Sequence, residues 1–446
     1  MADSGVPRDR PGTGLPARWP RRELAAATVG SVVESYDWTV YGVLAPYFAE
    51  QLFPGSSPTT RLIAAYLGFA LGFLVRPLGS IVIGWFADTR GRRFGLTLSV
   101  TLVAVGSAVI AVAPTYAQVG VAATLLVVLA RLVQGLSVGG ENPSAAAYVT
   151  ETAPGRRRFL FSAVSYGGIV IGSALSLAVL AVLLRLYGSD GVTAGAWRIA
   201  FALGALLGLI ALWIRLGVAE TGVFVAATAD AAAGARPGRL RLLRAHRREI
   251  AVVFLVTAGA TVVFYFCTVY LPVYADEAAG VPREQTATAL LIGMVGLLGA
   301  MVVAGALADR YGGLPVLRIG FAGLGLLSVP LLAGLVTGQV PVLVVALVLL
   351  ALLGLPLAVN NVFVGELFPP AIRTLAIGLP AAAAISLFGG TFPMLAELLR
   401  DNGRVGWVPW LVALMATGAL LASWGVRERG LPGDRPHQQP SLARSG

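Results

Sequence analysis

The sequence predicts an all-α membrane protein: twelve transmembrane helices in two pseudo-symmetric six-helix bundles. Three observations carry that expectation. The 446 residues are 57% hydrophobic and only 12% charged, with mean hydropathy +0.80, whereas soluble domains are about 25% charged. The apolar residues gather into runs of about 20, the length that crosses a bilayer as a helix. Two loops of the first half recur in the second. The runs are continuously apolar rather than alternating, which excludes a membrane β-barrel.

In chain order, the tail 1–22 is rich in Pro and Arg and lacks the apolar core of a signal peptide. The first helix is therefore expected to act as an uncleaved insertion signal. Spans follow near 24–50, 60–83, 95–114, 118–148, 160–187 and 195–218, which form a bundle over 23–220. The polar stretch within 221–248 reads as a cytoplasmic linker or surface helix, whose Arg run can meet anionic lipid. Further spans near 249–274, 286–309, 314–336, 339–364, 374–398 and 406–426 form a second bundle over 249–428, before a tail at 429–446.

All 33 basic residues are Arg. Most lie in the tails, the loops after even-numbered spans and the central loop. Only Arg61, Arg185, Arg198, Arg283, Arg400 and Arg404 fall on the other side. The positive-inside rule then places both termini in the cytoplasm, for a multi-pass protein of the cytoplasmic membrane. The same distribution argues against nucleic acid as the partner of the +11 net charge.

GWFADTRGRR (84–93) pairs with GALADRYGGL (305–314), each after the second helix of its half. ETAPGRRR (151–158) pairs with ELFPPAIR (366–373), each after the fourth, sharing Glu, a Pro three later and an Arg seven later. Matching loops in two six-helix halves are common among secondary transporters. These loops read as gates, assigned to Gly84, Asp88, Gly91, Arg92, Arg93, Glu151, Arg158, Asp309, Arg310, Glu366 and Arg373. Gly84 and Gly91 permit close approach and a tight turn. Asp88 can cap a helix or pair with Arg92 or Arg93. The alternative is a topogenic loop, which needs Arg but neither Gly nor Asp.

Within the first span, VVESYDWTVYG (32–42) carries Glu34 and Asp37. Carboxylates at bilayer depth cost a few kcal/mol and usually mark a pathway. Three residues apart, they share a helix face with Tyr41. In the fourth span Arg131, Gln134 and Glu141 share another face. Glu34, Asp37 and Glu141 are the candidates to carry a coupling proton, with Asp37 first because it is deepest. Arg131 can offset them or receive a substrate carboxylate through two parallel hydrogen bonds. Tyr41, Arg131, Gln134, Tyr265, Asn360 and Asn361 are the substrate candidates, with Thr268 and Tyr270 as further neutral donors. A structural ion pair is the competing reading for the charges, and interhelical bonding for the neutral groups. GGIVIGSALS in the fifth span and LFGGTFP in the eleventh suit helices that slide or bend, with Pro393 able to break its helix.

The single Cys267 forms no intrachain disulfide or cysteine metal site, and His246 and His437 lie in a polar loop and a tail. No Walker A, HExxH or nucleophile-elbow sequence is present, so neither an enzyme nor an ATP-driven pump is expected, and no cofactor or metal.

The residues resemble a known family. GWFADTRGRR and RLVQG resemble signatures of the major facilitator superfamily. VESYDWTVYG, RPLGS, RLVQGLSVGGE, ETAPGRRR, AWRIAF, AETGVF, YLPVYA, ELFPPAIR and LFGGTFP, in that order, resemble its metabolite:proton symporter family, whose members carry α-ketoglutarate, citrate, shikimate, and proline or glycine betaine. The resemblance implies the major facilitator fold, alternating access, and proton-driven uptake of a small organic anion or zwitterion by a protein expected to be monomeric. It carries coupling to Glu34 and Asp37 and the fourth-helix signature to Arg131, Gln134 and Glu141. Departures are Thr89 and Gly312–Gly313, where basic residues are usual, and NPSAAA (142–147) in place of a Gly-rich stretch. Proton-coupled efflux on the same fold is the alternative, and a non-transporting sensor is a second one.

Overall fold

The computed structural model describes residues 21–90, 92–137, 157–217, 239–369 and 372–426. Among the described residues there is no strand. In order the long helices are α1 (Arg21–Leu52), α2 (Pro58–Arg90), α3 (Arg92–Ala111), α4 (Val121–Ser137), α5 (Arg158–Gly191) and α6 (Trp197–Gly217). A short helix, Arg239–Ala245, then precedes α7 (Arg247–Ala279), α8 (Arg283–Tyr311), α9 (Gly313–Val336) and α10 (Val342–Glu366). The eleventh, α11, has segments Arg373–Ala384 and Thr391–Asp401 joined by a π turn, and α12 is Val408–Ser423.

Eight apolar helical stretches among the described residues are long enough to cross a membrane. One of them, Arg158–Ile214, runs through α5 and α6, which are separated by Gly188 (φ 68°) and Gly195 (φ 155°). Only glycine adopts such angles without strain. The apolar parts of α3 and α4 are shorter, Thr97–Ala111 and Val121–Ser137, and α1 is interrupted by its acids. With these, the helices supply twelve crossings. We call the end where α1 begins and α12 finishes the terminal end, and the opposite one the far end.

The second span ends differently from its expected boundary. The stretch 84–93 reads as a loop in sequence, yet α2 continues to Arg90 and α3 opens at Arg92. Hydropathy marks where the apolar layer stops, whereas a helix satisfies its own backbone and can continue into water. Pro393 stands where α11 is divided, four residues after Gly389, the last residue of the π turn. It lies in the first turn of the segment Thr391–Asp401, where the backbone N–H that proline lacks has no partner within that segment. The irregularity lies just before it, in the π turn Ile385–Gly389.

Close packing is set by small residues. A Cβ on Gly172 of α5 would lie 2.2 Å from the Val32 carbonyl oxygen of α1. Beside that contact Ser35 and Thr39 of α1 hydrogen-bond Ser173 at 2.7 and 2.8 Å. Tyr36 donates to the Ala200 carbonyl of α6 at 2.8 Å. Between the halves, α5 packs along α8 and α10, α2 along α11, and α1 against the π turn Phe266–Tyr270 of α7. Large apolar side chains such as Leu125, Ile319, Leu326 and Leu414 remain exposed on the outside, as a lipid-facing surface requires.

Candidate functional site

The site is built at mid-depth. Asp37 lies near the middle of the 32-residue α1 and Arg76 near the middle of the 33-residue α2. Arg131 of α4 is completely buried and Asp37 is 1% exposed. Arg131 Nη1 donates to Asp37 Oδ2 at 3.3 Å and to Gln134 Oε1 at 2.8 Å. Gln134 Nε2 donates to Asp37 Oδ1 at 2.8 Å, and Ser107 of α3 donates to the same oxygen. Both carboxylate oxygens are thus engaged from two other helices. A buried pair of this kind is weak evidence for stability, because desolvation offsets the attraction.

The other edge of Arg131 is different. Nε and Nη2 are buried and have no hydrogen-bond partner among the described residues. These two parallel N–H groups form a fork that matches a carboxylate. The guanidinium plane is held by aromatic faces, with its carbon 4.2 Å from the Trp38 ring centre and 4.4 Å from that of Tyr41. Tyr41 is positioned by donating to the Ala65 carbonyl at 3.1 Å.

Glu34 and Asp37 have different partners. Glu34 is half-buried and within electrostatic range of Arg76 and Tyr265. Arg76 lies within electrostatic range of Tyr265 of α7 and stacks on Trp38 at 3.9 Å and Phe73 at 4.0 Å. Trp38 therefore contacts both guanidinium groups, and Tyr265 brings the second half to the site. Tyr265 also packs edge-on against Phe69 and Phe73.

The remaining substrate candidates take no part in the hydrogen bonds that join Arg131, Gln134 and Ser107 to Asp37. Thr268 donates to its own helix, at the Phe264 carbonyl, 2.7 Å away. Tyr270 points to Glu397 of α11 at 3.2 Å. Asn360, half-buried, and Asn361, buried, lie toward the terminal end of α10. The hydrogen bonds of Arg131 and Asp37 do not include either asparagine. Glu141 lies outside the described residues. Arg76, Trp38 and Ser107 were not among the expected site residues. Arg76 had a signal, as a charge inside an apolar run; Ser107 had none.

At the terminal end, Arg158 of α5 forms an ion pair with Glu366 of α10. Asp309 of α8 accepts from the backbone N–H groups of Phe159 and Leu160, at 2.8 and 3.2 Å. These are the first turns of α5, where unpaired N–H groups favour an anion. Arg310 stacks on neighbouring Tyr311, and Arg373 opens α11. Gly84 and Asp88 fall in the last turns of α2 and Arg92 and Arg93 in the first of α3, but the side chains of Asp88, Arg92 and Arg93 lie outside the described part. So do Gly91 and Glu151. A cavity of about 640 Å³ between α7 and α11, lined by Leu243, Arg247, Phe254, Leu375, Leu379 and Pro380, contains none of these residues.

Known proteins resemble this chain in sequence and fold. The chain is 33% identical over 432 residues to the alpha-ketoglutarate permease of Escherichia coli (strain K12), covering 96% of this chain and 99% of the relative. It is 32% identical over 411 residues to the ectoine/proline transporter ProP of Corynebacterium glutamicum, covering 89% and 82%. Among solved structures, a D-xylose-proton symporter superposes with a TM-score of 0.72 at 21% identity, covering 91% of this chain and 98% of that one. The E. coli xylose transporter XylE in a partially occluded inward-open conformation gives 0.71 at 19%, covering 91% and 97%. Residues 27–363 match the family signature itself. With twelve crossings, a charged centre at mid-depth and relatives that are transporters rather than enzymes, the chain belongs to the Major Facilitator Superfamily.

Proposed function

We propose that the protein is a proton-coupled symporter, acting as a monomer, that imports a small carboxylate-bearing anion or zwitterion across the cytoplasmic membrane by alternating access. The observation that carries this reading is the Nε–Nη2 edge of Arg131, which has no hydrogen-bond partner among the described residues, beside a guanidinium nitrogen bonded to Asp37. With Asp37 ionised, Arg131 is neutralised locally. With Asp37 protonated, the positive charge is available to a substrate carboxylate. Proton and substrate then favour each other's binding, and by linkage the effect is reciprocal. The names of the relatives, a permease for α-ketoglutarate and a transporter of ectoine and proline, support a carboxylate substrate.

Alternating access is supported by bridges between the halves at both ends. Arg158–Glu366 and Asp309 lie at the terminal end, and Arg400 of α11 donates to Thr59 of α2 at the far end. The terminal end is assigned to the cytoplasm on the placement of arginine. Glu34 and Arg76 complete a site of two carboxylates and two guanidinium groups.

The test is uptake into proteoliposomes under an inward proton gradient. The panel is α-ketoglutarate, citrate, shikimate, proline and glycine betaine, each with and without uncoupler. One solute is expected to accumulate, and uncoupler to abolish it. Asp37→Asn is expected to abolish accumulation while exchange of labelled for unlabelled solute continues. Accumulation unchanged in Asp37→Asn removes Asp37 from coupling. Outward flux from loaded vesicles assigns the protein to efflux, and binding without flux to a sensor.

A further inference from the structure

A second charged cluster lies at the far end, separate from Asp37 and Arg131. Glu397 of α11 is completely buried. Its Oε1 accepts from Arg400 Nε at 2.9 Å, and its Oε2 from the Tyr270 hydroxyl of α7 at 3.2 Å. The same guanidinium reaches Glu277 of α7 at 2.8 Å and donates to the Thr59 hydroxyl of α2 at 2.7 Å. One side chain thereby ties α7 and α11 of the second half to α2 of the first.

The charges do not balance. Glu397 and Glu277 share Arg400, while the adjacent Asp276–Arg283 pair, at 2.7 Å, is neutral by itself. Glu277 is partly exposed and its charge is screened by water, whereas Glu397 is not. Two carboxylates on one guanidinium leave a net negative charge, and one proton on Glu397, the buried member, brings the cluster to neutrality. A separate observation points the same way. Tyr66 of α2 is fully buried and its hydroxyl has no hydrogen-bond partner among the described residues. Tyr66 lies within electrostatic range of Glu397. A hydroxyl donates to a carboxylate or accepts from a carboxylic acid, so it suits a group that changes between the two.

We propose that Glu397 is a second proton-binding site, whose ionised form holds Arg400 as the latch that closes the far end. The ionised carboxylate fixes the guanidinium and aims it at Thr59. When a proton from the far side adds to a carboxyl oxygen of Glu397, that hold is lost, Arg400 falls back on Glu277, and α2 parts from α11. The groups facing Glu397 are Thr59 and Tyr66 from α2, Tyr270 and Glu277 from α7, and Arg400 from its own helix. Tyr47 of α1 and Arg283 of α8 lie within electrostatic range of Tyr66. Glu397 acts on the path by positioning Arg400 and touches no substrate.

The test needs no substrate, so its outcome is independent of the symport reading. Cys267 is replaced by Ser, and Leu62→Cys is the reporter. Leu62 is buried on the same face of α2 as Thr59 and Tyr66. Maleimide labelling of detergent-solubilised protein is measured at neutral and mildly acidic pH, normalised to the unfolded protein at each pH. Acid is expected to raise the normalised rate about tenfold, as loss of one hydrogen-bonded charge implies. Glu397→Gln is expected to reach the acid rate at neutral pH and to lose the response, and Glu397→Asp to keep it. Thr59→Val is expected to raise the rate at neutral pH and to blunt the pH response, because the contact that protonation releases is already absent. Normal labelling of Glu397→Gln at neutral pH, or a full pH response in that variant, overturns the proposal. Should Glu397→Gln fail to fold, a reporter protein whose labelling ignores pH overturns it equally.

Discussion

At the scale of residues, Arg131 divides its nitrogens between two tasks. Nη1 holds Asp37 and Gln134, and the opposite edge has no hydrogen-bond partner among the described residues. Lysine preserves the charge but not the planar fork. Arg131→Lys is therefore expected to raise the KM for the transported solute by roughly 10–100-fold, equal to about 1.4–2.8 kcal/mol, with maximal flux and melting temperature changed much less. Equal loss of KM and thermal stability would make Arg131 a packing residue. Arg131→Ala is a poorer probe, because stranding Asp37 in the interior costs about 3–5 kcal/mol. Glu34 and Asp37 share a helix face, as their spacing requires, yet meet different arginines. Spacing along one helix does not reveal which neighbouring helix supplies the partner.

Among elements, the α1–α5 seam joins a glycine contact to a row of hydroxyls. Gly172 is in van der Waals conflict with any larger side chain, since its Cβ would lie 2.2 Å from the Val32 carbonyl oxygen. Gly172→Leu is expected to destabilise the first bundle by about 1–3 kcal/mol or more, read as a lower melting temperature in detergent. Gly299, which has open space around it, provides the contrast, and Gly299→Leu is expected to leave melting within about 0.5 kcal/mol of wild type. The π turn Phe266–Tyr270 directs Tyr270 toward Glu397, one position after a helix in which Tyr265 reaches Arg76. π turns are frequent where helices carry function. In sequence Tyr265, Thr268 and Tyr270 are all neutral donors on one helix, with Tyr265 the substrate candidate among them. A regular helical wheel does not anticipate the extra residue that separates their directions.

For the whole molecule, the halves are bridged at opposite ends by different chemistry. The terminal end uses Arg158–Glu366 and the Asp309 contact with the start of α5, and the far end uses Arg400. Both partners of the first bridge are partly exposed, where an ion pair contributes about 0–1 kcal/mol. Asp309 meets two backbone N–H groups and is the stronger of the two contacts. Asp309→Asn is accordingly expected to increase labelling of a Cys placed at Phe159 more than Glu366→Gln does. Equal increases, or none, would assign closure of that end to side-chain packing between α5 and α8.

Twelve apolar runs, the placement of arginine and the repeated loops were legible in sequence, because bilayer thickness and the expense of charge in hydrocarbon act on each segment alone. Asp37 and Arg131 also stood out in sequence as candidates, since a charge within an apolar run is conspicuous wherever it packs. What only the tertiary structure decided is which charges meet. Asp37 is paired with Arg131 and Gln134, Glu34 is near Arg76, and Glu397 holds Arg400 against Thr59. These partners lie far apart in the chain and are joined by helix crossings. The crossings depend on small residues such as Gly172 and on π turns, whose effect appears only when helices are packed together.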